Sequence, residues 1–459
     1  MNRPFGSRAT LVQSDWNEFA GGFRFPLRTI LSFEFALTLL ITVGAWKKNP
    51  TFAWMFPIDA TLVMTAVCGL CILNYLFAKG FLRQLFTPVA LYFTFCLWTI
   101  CSATWTKAVD LAPLATWVSR MFVINGVIFC GALIVVAQSR ARTIRFLAAL
   151  SIVALTLGID YIIQARSLRS LLAQFDDIQY NLNGEIIALG FGIFFSFMLY
   201  TKMFTLRWGL CVFAMGTLLY SSLILGSRQS FLVAIIQITV SLAFTVYARN
   251  RSLQLHRGAV PAFVLLIISV FAILLLLQSG FQSRLMSRLG DLTNYVSGDQ
   301  GGDQSSGTRM VFMAAAIRYW SDSPLTMLFG NGLFSFSTQL RGFYFLGAHP
   351  HNLVLSILTE FGVIGLLLYL GLAGSLILGK GSNRNTITPL NGILWGILMG
   401  EIFRALIDTD VETASTLIVP MCLMSALRLP LPAPGVTSIA GVRRQAIADS
   451  VASGIVTKT

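Results

Sequence analysis

His349 and His351 stand close together in the string AHPHN. An imidazole accepts a proton near neutral pH, so such a ring could act as a general base toward an attacking hydroxyl group. The alternative is that a histidine and Asn352 cap the helix that follows. Because no cysteine or carboxylate stands nearby at ligand spacing, the pair does not predict a zinc site.

Arg228 lies in the string GSRQS, which is the hydrophilic break between two apolar segments. A turn needs small polar residues, which Gly226, Ser227 and Ser230 supply, but it does not need an arginine. A guanidinium group keeps its charge when poorly hydrated and offers paired donors to a phosphate, so Arg228 is a candidate for anion binding. The alternative is an arginine that reaches the lipid headgroups.

Further ionisable residues fall inside apolar segments, where each would cost about 2.5–3.5 kcal/mol on insertion scales. Asp59 and Asp160 can sit near a membrane boundary, and Glu401 and Arg404 are three residues apart and can pair on one helix face. For Arg120 a functional and a structural role remain equally open. The complete set is Glu34, Asp59, Arg120, Asp160, Glu360, Glu401 and Arg404.

These residues are set in a chain with the composition of a membrane protein. Of its 459 residues, 56% are apolar and 11% are charged, and the mean hydropathy is +0.74. Ordinary soluble domains are roughly 45–50% apolar and 25% charged. This excludes disordered, collagen-like, coiled-coil and disulfide-stapled secreted proteins. The seven cysteines fall in apolar runs and are interpreted as buried residues, not as disulfide or metal sites.

About twelve stretches are long and apolar enough to cross a bilayer, which predicts an all-α polytopic membrane protein. Twenty of the 33 Lys and Arg residues lie in the N-terminal segment, the even-numbered connections and the tail. This bias predicts cytoplasmic termini and explains the net charge of +14 without a nucleic-acid partner. The polar first segment lacks the apolar core and cleavage site of a signal peptide. The expected organisation is a cytoplasmic segment at 1–28, nine spans at 29–279, a periplasmic loop at 280–352, three spans at 353–428 and a cytoplasmic tail at 429–459.

The loop before the tenth span has about 70 residues, which is too long for an idle connection. The string SRLMSRLGDL predicts a short interfacial helix, and the Gly-, Ser- and Asp-rich string that follows predicts turns. A second helix is predicted over TRMVFMAAAIRYW, with Ser306 or Thr308 as its cap and an end before Pro324. The string GNGLFSF comes next and has the composition of a turn.

In the string HNLVLSILTEFGVIGLLL, nine residues separate the pair His351 and Asn352 from Gly362, and two residues separate Gly362 from Gly365. Together with the upstream GTRMVFMAAAIRYW, GNGLF and SRQS strings, this ordered set resembles the signature of the O-antigen ligase superfamily. That superfamily contains O-antigen ligases, O-antigen polymerases and bacterial protein oligosaccharyltransferases. The resemblance covers about residues 185–405.

The resemblance implies a C-type glycosyltransferase fold in the bacterial inner membrane, with its active site beneath the periplasmic loop. The donor would be a glycan on undecaprenyl pyrophosphate, and the acceptor a second sugar such as the lipid A core. His351 matches the family's essential histidine, and Arg228 and Arg309 match its two functionally important arginines. His351 would orient or deprotonate the attacking hydroxyl while the arginines stabilise the leaving pyrophosphate, which predicts inversion at the anomeric carbon. Neither a metal nor another cofactor is expected.

Several alternatives stay open at this point. Arg120, Arg318, His349, Asn352 and Glu360 are further site candidates. The acceptor could also be a second polyprenyl-linked glycan, as for a polymerase, or a protein, as for an O-oligosaccharyltransferase. A non-enzymatic polysaccharide or lipid transporter would also suit twelve spans. A transporter should carry internal repeats and broken helices in corresponding halves, and the sequence indicates neither.

Overall fold

The computed structural model describes residues 29–47, 59–80, 83–108, 111–167, 177–199, 205–225, 228–250, 304–342, 349–378, 389–408 and 415–428, with the single residues 19, 49, 51, 201 and 411. Every regular element in this part of the chain is helical. The helices are α1 Phe33–Ile41, α2 Val43–Trp46, α3 Ala60–Lys79, α4 Phe86–Cys101, α5 Leu114–Val136, α6 Arg140–Ser167, α7 Asp177–Leu199, α8 Leu206–Leu225, α9 Arg228–Asn250, α10 Gln304–Trp320, α11 Pro324–Phe329, α12 Ser335–Arg341, α13 Leu353–Ile377, α14 Pro389–Asp408 and α15 Ser415–Leu423.

Seven of these helices are long and apolar enough to span a membrane, namely α3, α4, α5, α6, α7, α13 and α14. The protein is therefore an all-helical polytopic membrane protein over its described residues. Other predicted spans fall on α1, α8, α9 and α15. The predicted span at 259–279 and the predicted interfacial helix at 283–292 lie outside the described residues, so the count of about twelve stays a prediction.

The segment before α13 confirms one predicted helix and corrects its cap. α10 covers the TRMVFMAAAIRYW string and ends before Pro324, as expected. Ser306 and Thr308 do not cap it, because the polar residues from Gln304 onward already continue the helical backbone. The side chain of Ser323 caps α11 instead, in a capping box with Thr326.

Small residues let α7, α9 and α14 pack closely at the centre of the bundle. A Cβ atom at Gly192 would lie 2.8 Å from the Gln237 amide carbon, and one at Gly400 would lie 3.1 Å from Val233. Further along α9, the Ser241 hydroxyl lies 3.4 Å from the backbone carbonyl of α14 at position 392. As the residue numbers in α9 increase, the numbers of the residues that they contact in α14 decrease. The two helices are antiparallel, and this register places the ends of α9 relative to those of α14.

Three of the predicted intramembrane acids lie near helix ends and have polar partners. Glu34, in the first turn of α1, is 3.6 Å from Arg145 near the start of α6. Asp59 caps α3 and pairs with Lys47 at 2.7 Å, and the hydrogen bond from that amine lowers the Asp59 pKa to about 2. Asp160 accepts hydrogen bonds of 2.6 and 2.8 Å from two side chains of the connection between α2 and α3. Each of these acids thus has polar partners, and the boundary positions of Asp59 and Asp160 stay a prediction.

The seven cysteines all fall in the described residues, and none forms a disulfide. Cys68 is buried in α3, whereas Cys71 of the same CxxC string is exposed, as is Cys101 at the end of α4. The prediction that all cysteines are buried is therefore wrong for these two, because they lie on outward-facing sides of their helices.

Candidate functional site

The tenth predicted span, α13, is broken at Gly362 into two halves, residues 353–361 and 363–377. Gly362 has φ 67° and ψ −170°, a backbone conformation that glycine adopts and residues with a Cβ atom avoid. The sequence predicts a single span here and does not indicate this break. A break of this kind deprives the preceding carbonyl groups of their helical hydrogen-bond donors, and buried carbonyl groups need other partners.

Three donors from elsewhere in the chain satisfy the carbonyl groups of residues 359–361. The backbone N–H groups of Asn331 and Gly332 donate to the first two, at 2.8 and 2.9 Å. The indole N–H of Trp98 donates to the third at 3.0 Å. The GNGLF string is thus a turn that lies in the break of α13. Its backbone N–H groups form hydrogen bonds with the backbone carbonyl groups there.

The glycines of the sequence signature permit this close approach. A Cβ atom at Gly362 would lie 2.5 Å from the backbone nitrogen of Gly330, and one at Gly330, where φ is 79°, would lie 2.5 Å from the nitrogen of Phe361. At Gly365 a Cβ atom would collide with the Phe361 Cβ atom. Side chains at these positions would therefore push the turn and the two halves of the helix apart.

His351 lies directly before the first half of α13. Its φ of 53° is in the left-handed region, which a non-glycine residue rarely occupies. The His351 ring is centred 4.2 Å from the His349 ring and 6.0 Å from the Phe312 ring of α10, which is tilted by only 20° relative to it. Both imidazoles are half-buried. A strained backbone and a stacked aromatic ring together fix the direction of the His351 imidazole.

Asn352 fixes the position of this histidine in the fold. Its carboxamide oxygen accepts a hydrogen bond from the N–H of Leu355 at 3.0 Å, so Asn352 is the N-cap of α13. Its amide nitrogen donates to the carbonyl of Leu406 in α14 at 2.8 Å. The capping interpretation is thus correct for Asn352, whereas His351 lies one residue outside the helix.

Arg309 and Arg318 lie on opposite faces of α10, since nine residues correspond to two and a half helical turns. Arg309 is half-buried and lies one turn before Phe312, on the side that stacks on His351. Arg318 is exposed near the other end of the helix. The fold therefore brings Arg309, but not Arg318, to the face of α10 that meets His351.

Arg228 is the first residue of α9, and the packing of that helix shows its level in the bundle. Position 233 faces Gly400 of α14. Because the helices are antiparallel, five residues back along α9, from 233 to 228, correspond to five residues forward along α14, from Gly400 to Ala405. The start of α9 is therefore level with Ala405. The next residue, Leu406, accepts the hydrogen bond from Asn352. The backbone of Arg228 thus begins at the same end of α14 as His351.

Beneath this end lies a buried cluster of charges. Arg404 contacts Glu401 at 3.0 Å and Glu185 of α7 at 3.3 Å, and it also hydrogen-bonds Thr416. The three charged residues are at most 7% exposed. The predicted pairing of Glu401 with Arg404 is confirmed. Sequence reasoning missed Glu185 because the predicted span began one residue later, although an acid directly before an apolar run was a usable signal.

The two remaining predicted candidates are Arg120 and Glu360. Arg120 lies in the π-helical turn Ser119–Ile124 of α5, which packs against α3 and α4, and the Tyr92 hydroxyl donates to the neighbouring carbonyl of Met121. Glu360 is half-buried, and its backbone carbonyl accepts the turn's N–H. Among the described residues, His, Cys, Asp and Glu form no group of three or more suited to a metal ion.

The site therefore combines an imidazole with arginine-bearing elements at one end of a helical bundle. Such a set can activate a hydroxyl group and stabilise a developing anion. Sequence reasoning also missed Trp98, Ser102 and Thr106, which contact the GNGLF turn or the break, because nothing in their local sequence distinguishes them from ordinary helix-end residues.

Comparison with known proteins gives this site a family. Residues 213–370 match the family model described as O-antigen ligase, and this region includes Arg228, Arg309, His351 and Gly362. No curated protein and no solved structure matches the chain. Members of the family are glycosyltransferase-like O-antigen ligases and polymerases, which indicates a membrane enzyme. The match supports membership of the O-antigen ligase superfamily.

Proposed function

We propose that this protein transfers a polysaccharide from an undecaprenyl pyrophosphate carrier to the lipid A core of lipopolysaccharide. The observation that carries the proposal is the placement of His351 in a chain of this superfamily. Its ring stacks on Phe312 beside the α10 face that bears Arg309, and its neighbour Asn352 binds the end of α14 that lies level with Arg228. A base and two cations are what this transfer needs.

The chemistry assigns a role to each group. A hydroxyl group of the acceptor sugar attacks the anomeric carbon of the donor, and the bond from that carbon to the pyrophosphate oxygen breaks. His351 takes the hydroxyl proton, and Arg228 and Arg309 stabilise the negative charge that grows on the pyrophosphate. Attack opposite the leaving group inverts the anomeric configuration. The reaction as proposed needs no metal or other cofactor.

The proposal includes an orientation. The site faces the periplasm, with both termini in the cytoplasm, because the cytoplasmic side of an inner-membrane protein is the one rich in Lys and Arg. A reporter active only in the periplasm should therefore work when fused near Gly301 and fail when fused after Arg443. The reverse pattern would place the site in the cytoplasm and end this proposal.

The glycan ladder of a deletion strain tests the acceptor. Loss of a ligase leaves bare lipid A core, while long chains accumulate on the polyprenyl carrier. Loss of a polymerase, which shares the donor site, leaves core that bears a single repeat unit. An unaltered ladder with an unglycosylated protein or a missing exopolysaccharide would favour the other relatives. Bare core restored by the intact gene, but not by a His351→Ala gene, is the expected result.

A further inference from the structure

We propose that residues 98–107, at the end of α4 and in the connection to α5, position the half of α13 that carries His351. We name this stretch the clamp segment. It lies outside the residues that match the family model, which begin at 213. The inference rests on the proposed function, because it concerns the geometry in which His351 meets the acceptor.

The break at Gly362 makes such a device necessary. In a continuous helix, the second half of α13 would fix the direction of the first half. Here the non-helical backbone of Gly362 uncouples them. The first half is held by Asn352 through the Leu406 carbonyl at its start. Its other end must be held by whatever binds residues 359–361.

The clamp segment binds that end directly through Trp98. The Trp98 indole donates to the Phe361 carbonyl at 3.0 Å, the last carbonyl before the break. The Trp98 ring also packs against Trp105 and Phe329, with ring centroids 5.4 and 6.1 Å away. The donor is thus fixed by packing on both sides.

The clamp segment also binds that end through the turn. The Thr106 hydroxyl donates to the Leu333 carbonyl at 2.6 Å, and the Leu333 N–H donates to the Ser102 hydroxyl at 3.1 Å. The N–H of Lys107 donates to the Asn331 carbonyl at 3.0 Å. The GNGLF turn then donates its own N–H groups to the carbonyl groups of residues 359 and 360 in α13. The order of contact is therefore clamp segment, turn, and first half of α13.

These contacts lie about 14 Å from His351 along the helix, since nine residues rise 1.5 Å each. A half-helix held at both ends transmits a displacement at one end to the other. A misplacement of about 1 Å at the reacting groups can cost about a hundredfold in rate. Trp98, Ser102 and Thr106 are therefore positioning residues that act through α13, without contact with substrate.

Matched substitutions test the proposal in the full-length protein, with purified lipid-linked donor and acceptor. Trp98→Phe removes the indole donor, and Trp46→Phe makes the same change at an indole that donates to the Leu39 carbonyl of α1, away from the clamp segment. Thr106→Val removes the hydroxyl, Thr106→Ser keeps it, and Thr104→Val removes an exposed hydroxyl that bonds only within its own helical turn. We expect kcat per folded molecule to fall about tenfold or more for Trp98→Phe and Thr106→Val, with donor KM near wild type. The other three variants should stay near wild type.

A loss of activity that merely follows the folded fraction would overturn the inference, because it would indicate a role in stability alone. Equal losses in Trp46→Phe or Thr104→Val would also overturn it. If Trp98→Phe does not accumulate, the comparison of Thr106→Val with Thr106→Ser decides, because only the second variant keeps the hydroxyl group. An inactive wild-type protein would instead refute the proposed function, whereas fully active clamp variants would refute only the positioning role.

Discussion

Gly362→Ala should destabilise the protein, although the same substitution at Gly371 of α13 should not. Gly362 sits at the break, with φ 67° and ψ −170°. Gly371 lies in the regular second half, where a Cβ atom would meet only the Leu91 side chain, at 3.8 Å. The two glycines therefore give opposite expectations for one chemical change in one helix.

The magnitude follows from the contacts. A residue with a Cβ atom costs about 1–3 kcal/mol in the backbone conformation of Gly362. Its Cβ atom would also lie 2.5 Å from the backbone nitrogen of Gly330, and the turn can retreat only by losing its two backbone hydrogen bonds to residues 359 and 360. Each bond contributes roughly 1 kcal/mol. The expected loss is about 3–5 kcal/mol in total. Gly371→Ala should instead gain up to about 1 kcal/mol from helix propensity.

Thermal unfolding of the detergent-solubilised protein measures the stability, and transfer activity per folded molecule measures the site. Gly362→Ala should unfold at a clearly lower temperature and transfer poorly, while Gly371→Ala should match or exceed wild type in stability. If Gly362→Ala unfolds at the wild-type temperature with full activity, α13 runs straight through this position. The hydrogen bonds from the GNGLF turn to the carbonyl groups of residues 359 and 360 would then be absent.

Further substitutions address the site and the charge cluster below it. His351→Ala should abolish detectable transfer while membrane insertion and donor binding persist, and turnover near the wild-type rate would remove its role as base. Arg309→Ala should lower kcat/KM about ten- to a hundredfold, from the loss of one charge-assisted contact of about 1.5–3 kcal/mol. Arg318→Ala should leave the rate near wild type, so equal losses in both arginine variants would contradict the assignment of faces on α10. Arg404→Ala leaves two buried carboxylates without their cation and should cost about 3–5 kcal/mol of stability. Joint replacement of all three charged residues of that cluster by apolar residues should recover most of the lost stability. If thermal unfolding shows no recovery, the cluster has a role beyond the mutual neutralisation of its charges.

The amino-acid sequence alone determined the features that depend on neighbours in the chain. Runs of apolar residues predict spans because each helix satisfies its own backbone hydrogen bonds. The pairing of Glu401 with Arg404 and the Asn352 cap were also readable, because residues three apart share a helix face and caps bond within one turn. The end of α10 before Pro324 belongs to the same class.

The tertiary structure decided everything that joins distant parts of the chain. The break at Gly362 exists because donors from Trp98 and from the GNGLF turn replace the helical ones, and no local pattern at Gly362 announces partners so far away in the chain. The third member of the charge cluster, Glu185, and the level of Arg228 relative to His351 likewise depend on how α7, α9 and α14 pack. Spacing in the sequence measures distance along one helix, whereas a site assembled from several helices depends on crossings that only the folded bundle defines.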